Sequence, residues 1–322
     1  MICGQMAQKR IKRAETAYYH LMSRTVNGEA LFRKREKEIL RKMIWQVSEF
    51  SGVRVVTYAV MKNHFHLLVE IPGRKSISDA EIVRRYRVLY PRPTPWHPML
   101  PEVLESHLRE NSEEGKLLRA TLTRRMHDVS WLMKTLKQRF AVWFNQSRDR
   151  FGPLWSERFK SVLVEGDQWA LRTVAAYIDL NAVRSGLVED PKDYRFCGYG
   201  EAIGGNEVAR AGILGVCRDL ESYRKLLYGS GSGVRDGKVS ISQEKARRVI
   251  EKENGKIPVA TALRCRLRYF TQSKVLGSAE FIEKELRAQN AKRKRPQKPC
   301  RLQGANWQGL AVPSGLRKNW FG

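Results

Sequence analysis

The sequence predicts an α+β fold in which helices pack on an antiparallel sheet. Two observations predict it. The stretch Val53–Ile71 reads as two short strands joined by a turn at Lys62-Asn63. Further strand-like segments alternate with helices that each carry one apolar stripe, which gives the order β-α-β-β-α-β-α. A right-handed crossover and a hairpin in that order produce an antiparallel sheet, an α+β palm.

Charge indicates the class of partner. The chain has 322 residues and a formal net charge of +27. This length suits one sizeable core with an appendage, or two domains. A positive excess of that size exceeds what solubility needs and implies a polyanionic partner, with nucleic acid first and an anionic membrane second.

Several classes of protein are disfavoured by the sequence. No apolar run approaches the length of a membrane span, and Met1–Arg13 is basic without the apolar block of a secretory signal. The five cysteines are odd in number and show no Cys-x-x-Cys spacing, which favours a reducing compartment and argues against a zinc finger. We expect a soluble, intracellular protein that binds nucleic acid.

The first elements lead to a pair of histidines. Tyr18–Thr25 is predicted as a strand and Lys34–Phe50 as a helix with one buried face. On the second strand of the hairpin, His64 and His66 point to the same side, because side chains alternate along a strand. Two imidazoles side by side form half of a metal site, although such a pair is more often a polar sheet face. His20, on the first strand, is interpreted as a hydrogen-bonded structural histidine.

The middle of the chain contains a predicted insertion, residues 73–127. Its five prolines between 91 and 101 exclude a regular element there, which indicates a surface excursion. Glu102–Arg125 is mostly charged and at best helical. From Asp128 an apolar stripe returns and predicts a helix up to Gly152-Pro153, with three cations facing outward that suit phosphates: Lys134, Lys137 and Arg139.

A fourth strand and a last helix complete the core. Phe159–Val164 reads as the strand, and Gln168–Ser185 as a helix between an Asp167 N-cap and Gly186. Beside the buried stripe of that helix runs a second one, spaced by three or four residues: Thr173, Tyr177, Asn181 and Arg184.

Three segments are predicted. Residues 1–199 form the main domain with the 73–127 insertion, 200–237 a linker with a short helix, and 238–322 a basic, mainly helical region with a disordered tail. A helix-turn-helix in the last region is a weaker interpretation, because three short helices in a basic segment are a weak signal.

Two motifs resemble a known family. The strand segment Asn63–Glu70 (NHFHLLVE) is similar to the His-hydrophobe-His motif of HUH single-strand endonucleases. The segments 132–144, 159–164 (FKSVLV) and 177–188 (YIDLNAVRSGLV) resemble REP-associated tyrosine transposases, members of the HUH single-tyrosine superfamily that act on DNA hairpins. The resemblance covers about Tyr18–Tyr199 and implies a ferredoxin-like HUH fold.

The resemblance implies a chemistry. The nucleophile of the family falls on Tyr177, and its metal ligands fall on His64, His66 and Asn181. The expected cofactor is a divalent metal, Mg²⁺ or Mn²⁺, with nitrogen ligands favouring Mn²⁺. The expected reaction is DNA transposition by transesterification, through a 5′-phosphotyrosine and a free 3′-hydroxyl. Relatives commonly have proline after the ligand asparagine, where this chain has Ala182, so the helix exit angle is expected to differ.

The resemblance also implies partners and a location. We expect single-stranded or hairpin DNA as the substrate, no membrane, a monomer or homodimer, and a cytoplasmic, nucleoid-associated bacterial protein. Trp155, Arg158 and Lys160 stand where a DNA strand could stack and pair. Arg184 suits either a phosphate or the helix C-terminus.

Two alternatives remain. A DNA-hairpin-binding regulator without cleavage activity would keep the fold, but binding alone requires neither Tyr177 nor the two histidines of the motif. A histidine-triad nucleotide hydrolase would require a third histidine at the next alternate position, where this chain has Leu68.

Overall fold

A computed structural model describes residues 11–93, 99–110, 112–228, 248–249, 255–265, 267–291 and 293–316. Within them the main sheet has five strands in the order β2-β3-β1-β4-β5. The strands are β1 (Ala17–Arg24), β2 (Arg54–Val60), β3 (His64–Ile71), β4 (Lys160–Val164) and β5 (Val275–Leu276). All neighbours pair antiparallel except β4 and β5, which are parallel. The α+β fold with an antiparallel sheet is confirmed.

The strand register places several polar residues on one sheet face. Met22 of β1 lies opposite His66 on β3 and opposite Lys160 on β4. His20 is two residues from Met22 and so shares its face, and the same alternation puts His64 beside His66. The other face is apolar, and there Phe65 contacts the Trp155 ring at 5.6 Å.

The helix α1 (Lys34–Ser51) and the hairpin follow the predicted pattern. α1 buries one apolar side, which includes Leu40, Ile44 and Val47. It ends at Gly52, whose φ of 61° is a left-handed conformation that favours glycine.

One helix of the insertion was not predicted, and the possible helix over 102–125 is present as two helices. The insertion is therefore largely helical. It contains α2 (Asp79–Leu89), α3 (Pro101–Glu110) and α4 (Glu113–Thr123), while residues 94–98 and 111 lie outside the described part. The α2 helix starts at the N-cap Ser78 and buries the side chains of Ile82, Val83, Tyr86 and Leu89. Its several arginines hide this apolar stripe in the sequence.

The predicted helices on either side of β4 are present. α5 (Val129–Gln146) starts at Asp128, which accepts hydrogen bonds from two backbone amides, and Asp167 caps α6 (Gln168–Asp179) in the same way. The second helix is divided at Leu180 and continues as the short α7 (Asn181–Arg184). Gly186 follows with a φ of 62°.

Where the sequence predicted a linker with one short helix, three helices occur. They are α8 (Gly198–Ile203), α9 (Glu207–Leu214) and α10 (Leu220–Tyr228), and residues 229–237 lie outside the described part. A Cβ at Gly212 would lie 2.4 Å from the Val55 carbonyl oxygen, so glycine permits α9 to approach β2 this closely.

Asp179, at the end of α6, joins these helices to the sheet. Its buried carboxylate accepts hydrogen bonds from Thr57 Oγ1 on β2 (2.9 Å), from Tyr223 Oη on α10 (2.6 Å) and from the Tyr199 backbone N–H (3.1 Å). Complete burial raises the pKa of Asp179 to about 6. Asp179 therefore connects the end of α6 to three other elements, β2, α8 and α10.

The C-terminal region contributes to the same sheet as the predicted catalytic segment. It contains α11 (Val259–Leu263), α12 (Tyr269–Gln272), strand β5 and α13 (Ala279–Asn290). Where the sequence suggested a disordered tail, β6 (Pro299–Arg301) pairs with β7 (Ala311–Pro313). The division into three domains stays a prediction. No helix in the described part is long and apolar enough to span a membrane.

Candidate active site

A cavity of about 300 Å³ lies at the polar face of the sheet, between β1, β3, the end of α6 and the segment 267–272. It brings together residues that are far apart in the sequence. Its lining consists of Met22, Ser23, Arg24, His64, His66, Glu157, Arg158, Lys160, Tyr177, Asn181, Leu267, Arg268, Thr271 and Gln272. All four residues to which the resemblance assigned catalysis or metal binding are among them.

His66 is oriented by a second histidine. Its Nδ1 lies 2.9 Å from His20 Nε2, and His20 Nδ1 lies 2.7 Å from the backbone carbonyl oxygen of Phe270. The two imidazoles are stacked, with centroids 5.1 Å apart. His20 is completely buried, and this burial, with a smaller contribution from Arg184, lowers the pKa of its imidazole to about 4. His20 is therefore neutral at pH 7.

The His64 ring is also oriented by a hydrogen bond at its Nδ1. Its Nδ1 lies 2.6 Å from the side-chain oxygen of Asn63, the preceding residue. An amide oxygen only accepts hydrogen bonds, so Nδ1 is the donor and Nε2 of the neutral ring carries the lone pair. Asn63 is itself fixed, because its amide nitrogen donates to the Gly28 carbonyl oxygen at 2.7 Å.

Asn181 presents an oxygen rather than a nitrogen to the cavity. Its Nδ2 donates to the carbonyl oxygens of Ile178 (2.9 Å) and Tyr177 (3.4 Å). Because both partners are acceptors, the nitrogen must be the atom on that side, and Oδ1 remains as the other end of the amide. The break at Leu180 places Asn181 at the beginning of α7.

Tyr177 is buried at the end of α6, with its ring held by three neighbours. The ring stacks on Phe270 at a centroid distance of 4.5 Å, and Arg184 Cζ lies 4.0 Å from the ring centroid on another side. His20 contacts it edge-on at 6.3 Å. The Tyr177 hydroxyl donates to the Leu267 carbonyl oxygen at 3.5 Å, the upper limit for a hydrogen bond.

Two of the predicted DNA-binding cations line the cavity. Arg158 and Lys160 are exposed there, and Lys160 also forms an ion pair with Glu157 at 3.4 Å. Sequence reasoning did not single out Arg24 and Arg268, which also line the cavity. Four lining side chains are cationic and one, that of Glu157, is acidic, so the lining carries a net positive charge, which suits a phosphodiester.

The remaining predicted DNA-binding residues lie outside the cavity lining. Lys134 is exposed on α5 with Nζ 4.6 Å from the Trp131 ring centroid, and Arg139 is half-buried with Cζ 5.4 Å from the Tyr90 centroid. Arg184 donates to the Leu263 and Tyr177 carbonyl oxygens, each at 2.8 Å.

Lys137 and Trp155 contact each other through both their side chains and a backbone carbonyl group. Lys137 Nζ lies 5.5 Å from the Trp155 ring centroid and donates to the Glu157 carbonyl oxygen at 2.8 Å. Trp155 Nε1 donates back to the Lys137 carbonyl oxygen at 3.0 Å, and its ring packs edge-on against Phe32 at 5.8 Å. Most of the Trp155 ring is thus used in packing.

The donor set fits a divalent cation. In the described part of the chain no three His, Cys, Asp or Glu side chains gather into a metal cluster. The cavity is lined instead by two imidazoles, each with its Nδ1 hydrogen-bonded, and by the side-chain amide of Asn181. Imidazole and carbonyl oxygen together are suitable ligands for Mn²⁺ and, less well, for Mg²⁺.

Sequence reasoning missed the role of the C-terminal segment at this site. Leu267, Arg268, Thr271 and Gln272 form one cavity wall, and Phe270 contacts both Tyr177 and His20. Carbonyl groups and an aromatic ring far along the chain give no signal for such contacts. The one indication in the sequence was His20, which strand alternation places on the same sheet face as His64 and His66.

Comparison with known proteins agrees with part of this site. Residues 13–90 match the family model described as "Transposase IS200 like", a range that contains β1, α1, β2, β3 and α2 with both motif histidines. No curated protein matches the chain.

Among solved structures, the chain is similar to one titled "Structure of the REP associates tyrosine transposase bound to a REP hairpin", at 14% identity and a TM-score of 0.40. That match covers 62% of this chain and 87% of the other. Over residues 13–90, the predicted resemblance to IS200-like transposases is confirmed.

Proposed function

We propose that this protein is a metal-dependent single-stranded DNA endonuclease and strand transferase that acts in DNA transposition, with Tyr177 as the nucleophile. The similarity of residues 13–90 to transposases supports the general role. The observation that carries the specific proposal is the convergence of Tyr177, His64, His66 and Asn181 on one cavity.

His64, His66 and Asn181 would hold a divalent cation, Mn²⁺ or Mg²⁺. When bound, it would polarise the scissile phosphate and make the phosphorus more electrophilic. The chain's own contribution is orientation: hydrogen bonds at each Nδ1 direct Nε2 to the cavity, and the backbone bonds of Asn181 direct Oδ1 there.

In the proposed reaction, Tyr177 Oη attacks phosphorus. The new Oη–P bond forms as the P–O3′ bond breaks, and the phenol loses its proton while the leaving O3′ gains one. The product is a 5′-phosphotyrosine with a free 3′-hydroxyl, and the reverse reaction with another strand joins DNA without a nucleotide cofactor. The cationic side chains of Arg158 and Lys160 would hold the phosphates on either side of the cut.

Hairpin-bearing single-stranded DNA is the proposed substrate. The resemblance of residues 159–164 and 177–188 to REP-associated tyrosine transposases implies such a substrate, and the +27 net charge suits it. A hairpin-binding regulator without cleavage activity is the alternative. It would not require a phenol beside the histidine pair.

The test is to incubate the protein with hairpin-bearing single strands and Mn²⁺ or Mg²⁺, then search for a covalent protein–DNA adduct by denaturing electrophoresis and peptide mapping. We expect the adduct at Tyr177, with no adduct for Tyr177→Phe but with retained hairpin affinity. Wild-type protein that binds the hairpin and forms no adduct with either metal would support the regulator instead.

A further inference from the structure

A continuous chain of hydrogen bonds connects His66 to the C-terminal region. It runs from His66 Nδ1 to His20 Nε2 (2.9 Å), and from His20 Nδ1 to the Phe270 carbonyl oxygen (2.7 Å). The three residues belong to β3, β1 and α12.

The direction of this chain follows from the chemistry of its ends. A carbonyl oxygen can only accept a hydrogen bond, so His20 Nδ1 carries a proton. The neutral His20 ring then has a lone pair on Nε2, and His66 Nδ1 must be the donor to it. A neutral His66 with its proton on Nδ1 has its lone pair on Nε2, the form that binds a metal ion.

His20 has the environment that this direction requires. It is fully buried, and both of its ring nitrogens are engaged, Nδ1 by the Phe270 carbonyl oxygen and Nε2 by His66. The stacked arrangement with His66, at an interplanar angle of 29°, also fixes the plane of the His66 ring.

We infer that His20 is a positioning residue of the metal centre, which, together with the Phe270 carbonyl group, holds His66 in the tautomer and ring orientation that ligate a divalent cation. The inference rests on the proposed function, because it assigns a role relative to the metal proposed there. It makes the segment 267–272 a structural part of that centre, although no ligand comes from the segment. Hydrogen-bonding partners of this kind contribute about 10- to 100-fold to metal affinity.

The test measures Mn²⁺ affinity directly, by the electron paramagnetic resonance signal of free Mn²⁺, in the full chain. We expect His20→Leu to raise the dissociation constant by about 10- to 100-fold. His20→Gln should keep most of the affinity, because its amide oxygen can accept the hydrogen bond from His66 Nδ1. The matched control is Leu21→Ala, which removes a buried side chain from the opposite face of β1 and should lower stability without changing Mn²⁺ affinity.

A second measurement does not depend on the folding of any variant. Ring ¹⁵N chemical shifts of metal-free wild-type protein distinguish the two neutral tautomers of each histidine. We expect His66 and His20 to carry their protons on Nδ1. A proton on His66 Nε2 would overturn the inference, as would a His20→Leu variant that folds and binds Mn²⁺ as tightly as the wild type.

These outcomes are separable from a failure of the proposed function. If His66→Ala abolishes Mn²⁺ binding while His20→Leu leaves it unchanged, the proposed metal site stands and the role of His20 is rejected. If the wild-type protein binds no Mn²⁺ and forms no adduct with DNA, both proposals are rejected.

Discussion

The hydroxyl group of Tyr177 lies 3.5 Å from the backbone carbonyl oxygen of Leu267, a residue ninety positions later in the chain. A hydrogen bond of this length is weak, whereas the ring below it is firmly packed between Phe270 and Arg184. The side chain is therefore positioned by its ring and not by its hydroxyl group.

This arrangement predicts that Tyr177→Phe is nearly neutral for stability. We expect the free energy of unfolding to fall by less than about 1 kcal/mol, because only one long hydrogen bond is lost. Tyr177→Ala should cost about 3–5 kcal/mol, because it removes a buried ring. Urea denaturation compares the two, and a large loss for the phenylalanine variant would mean that the hydroxyl is a structural group.

Asn181 is predicted to contribute an oxygen ligand. Asn181→Ala should weaken Mn²⁺ binding by about tenfold or more, whereas Asn181→Asp keeps an oxygen and adds a negative charge, so it should retain affinity. Isothermal titration with Mn²⁺ is the measurement. Equal affinity in wild type and the alanine variant would exclude Asn181 from the metal centre.

Arg158 is predicted to contact phosphate at the mouth of the cavity. Arg158→Ala should weaken binding of single-stranded DNA of any sequence and reduce the magnitude of the salt slope of log affinity by about one. Lys116→Ala is the control, since it also removes one positive charge but from the exposed α4, where Lys116 pairs with Glu113. If both variants change the slope equally, Arg158 acts only through net charge.

Lys137 is predicted to lose its proton at a lower pH than ordinary lysines. Burial lowers the pKa of Lys137 from 10.5 to about 8. Because the pKa of Lys137 is lower in the folded state, the unfolded chain binds more protons between about pH 8 and 10.5. Below pH 8 this side chain therefore destabilises the folded state. The destabilisation disappears as the pH rises to 10.5.

The measurement for Lys137 is the rate of amine acylation as a function of pH, followed by mass spectrometry and normalised to its own plateau at high pH. We expect a midpoint near pH 8, since only the neutral amine reacts, against about 10.4 for ordinary exposed lysines. A midpoint shared with the other lysines would show that the side chain is more hydrated than its contacts with Trp155 and Glu157 indicate.

Asp179 is predicted to anchor the end of α6. Asp179→Ala leaves the Tyr223 hydroxyl and the Thr57 hydroxyl buried without their acceptor, so we expect a loss of about 3 kcal/mol or more in the free energy of unfolding. Tyr223→Phe removes a single donor and should cost about 1 kcal/mol. Denaturant unfolding at pH 7 compares them, and equal losses would show that the carboxylate is not the shared centre of the network.

Local patterns predicted the parts of the fold whose signals are local. The alternation in Val53–Ile71 and the turn at Lys62-Asn63 predicted the hairpin, and the aspartates at 128 and 167 predicted where α5 and α6 begin. In α2 the same kind of signal was present, an N-cap serine before an apolar stripe, but it was obscured by interspersed arginines. The charged residues of this segment masked the helical spacing of its apolar residues, so no helix was predicted there.

The candidate site could be predicted only in part, for a physical reason. The histidine pair was singled out by its residue type and spacing, and Tyr177 by the family resemblance. The contacts of Leu267 and Phe270 use backbone carbonyl groups, which every residue has, so no residue type marks them. The pairing of β5 with β4 could not be predicted either, because β5 has only two residues and gives no strand pattern.

The parallel pairing of β5 with β4 and the wall formed by residues 267–272 have a consequence for synthesis of the protein. The ribosome makes the histidine strand and the tyrosine helix first, and domains form as the chain emerges. The cavity can be completed only after residues 267–272 have left the exit tunnel. A nascent or prematurely terminated chain would thus contain the histidines and the tyrosine without the wall that encloses them, so the candidate site is completed late in translation.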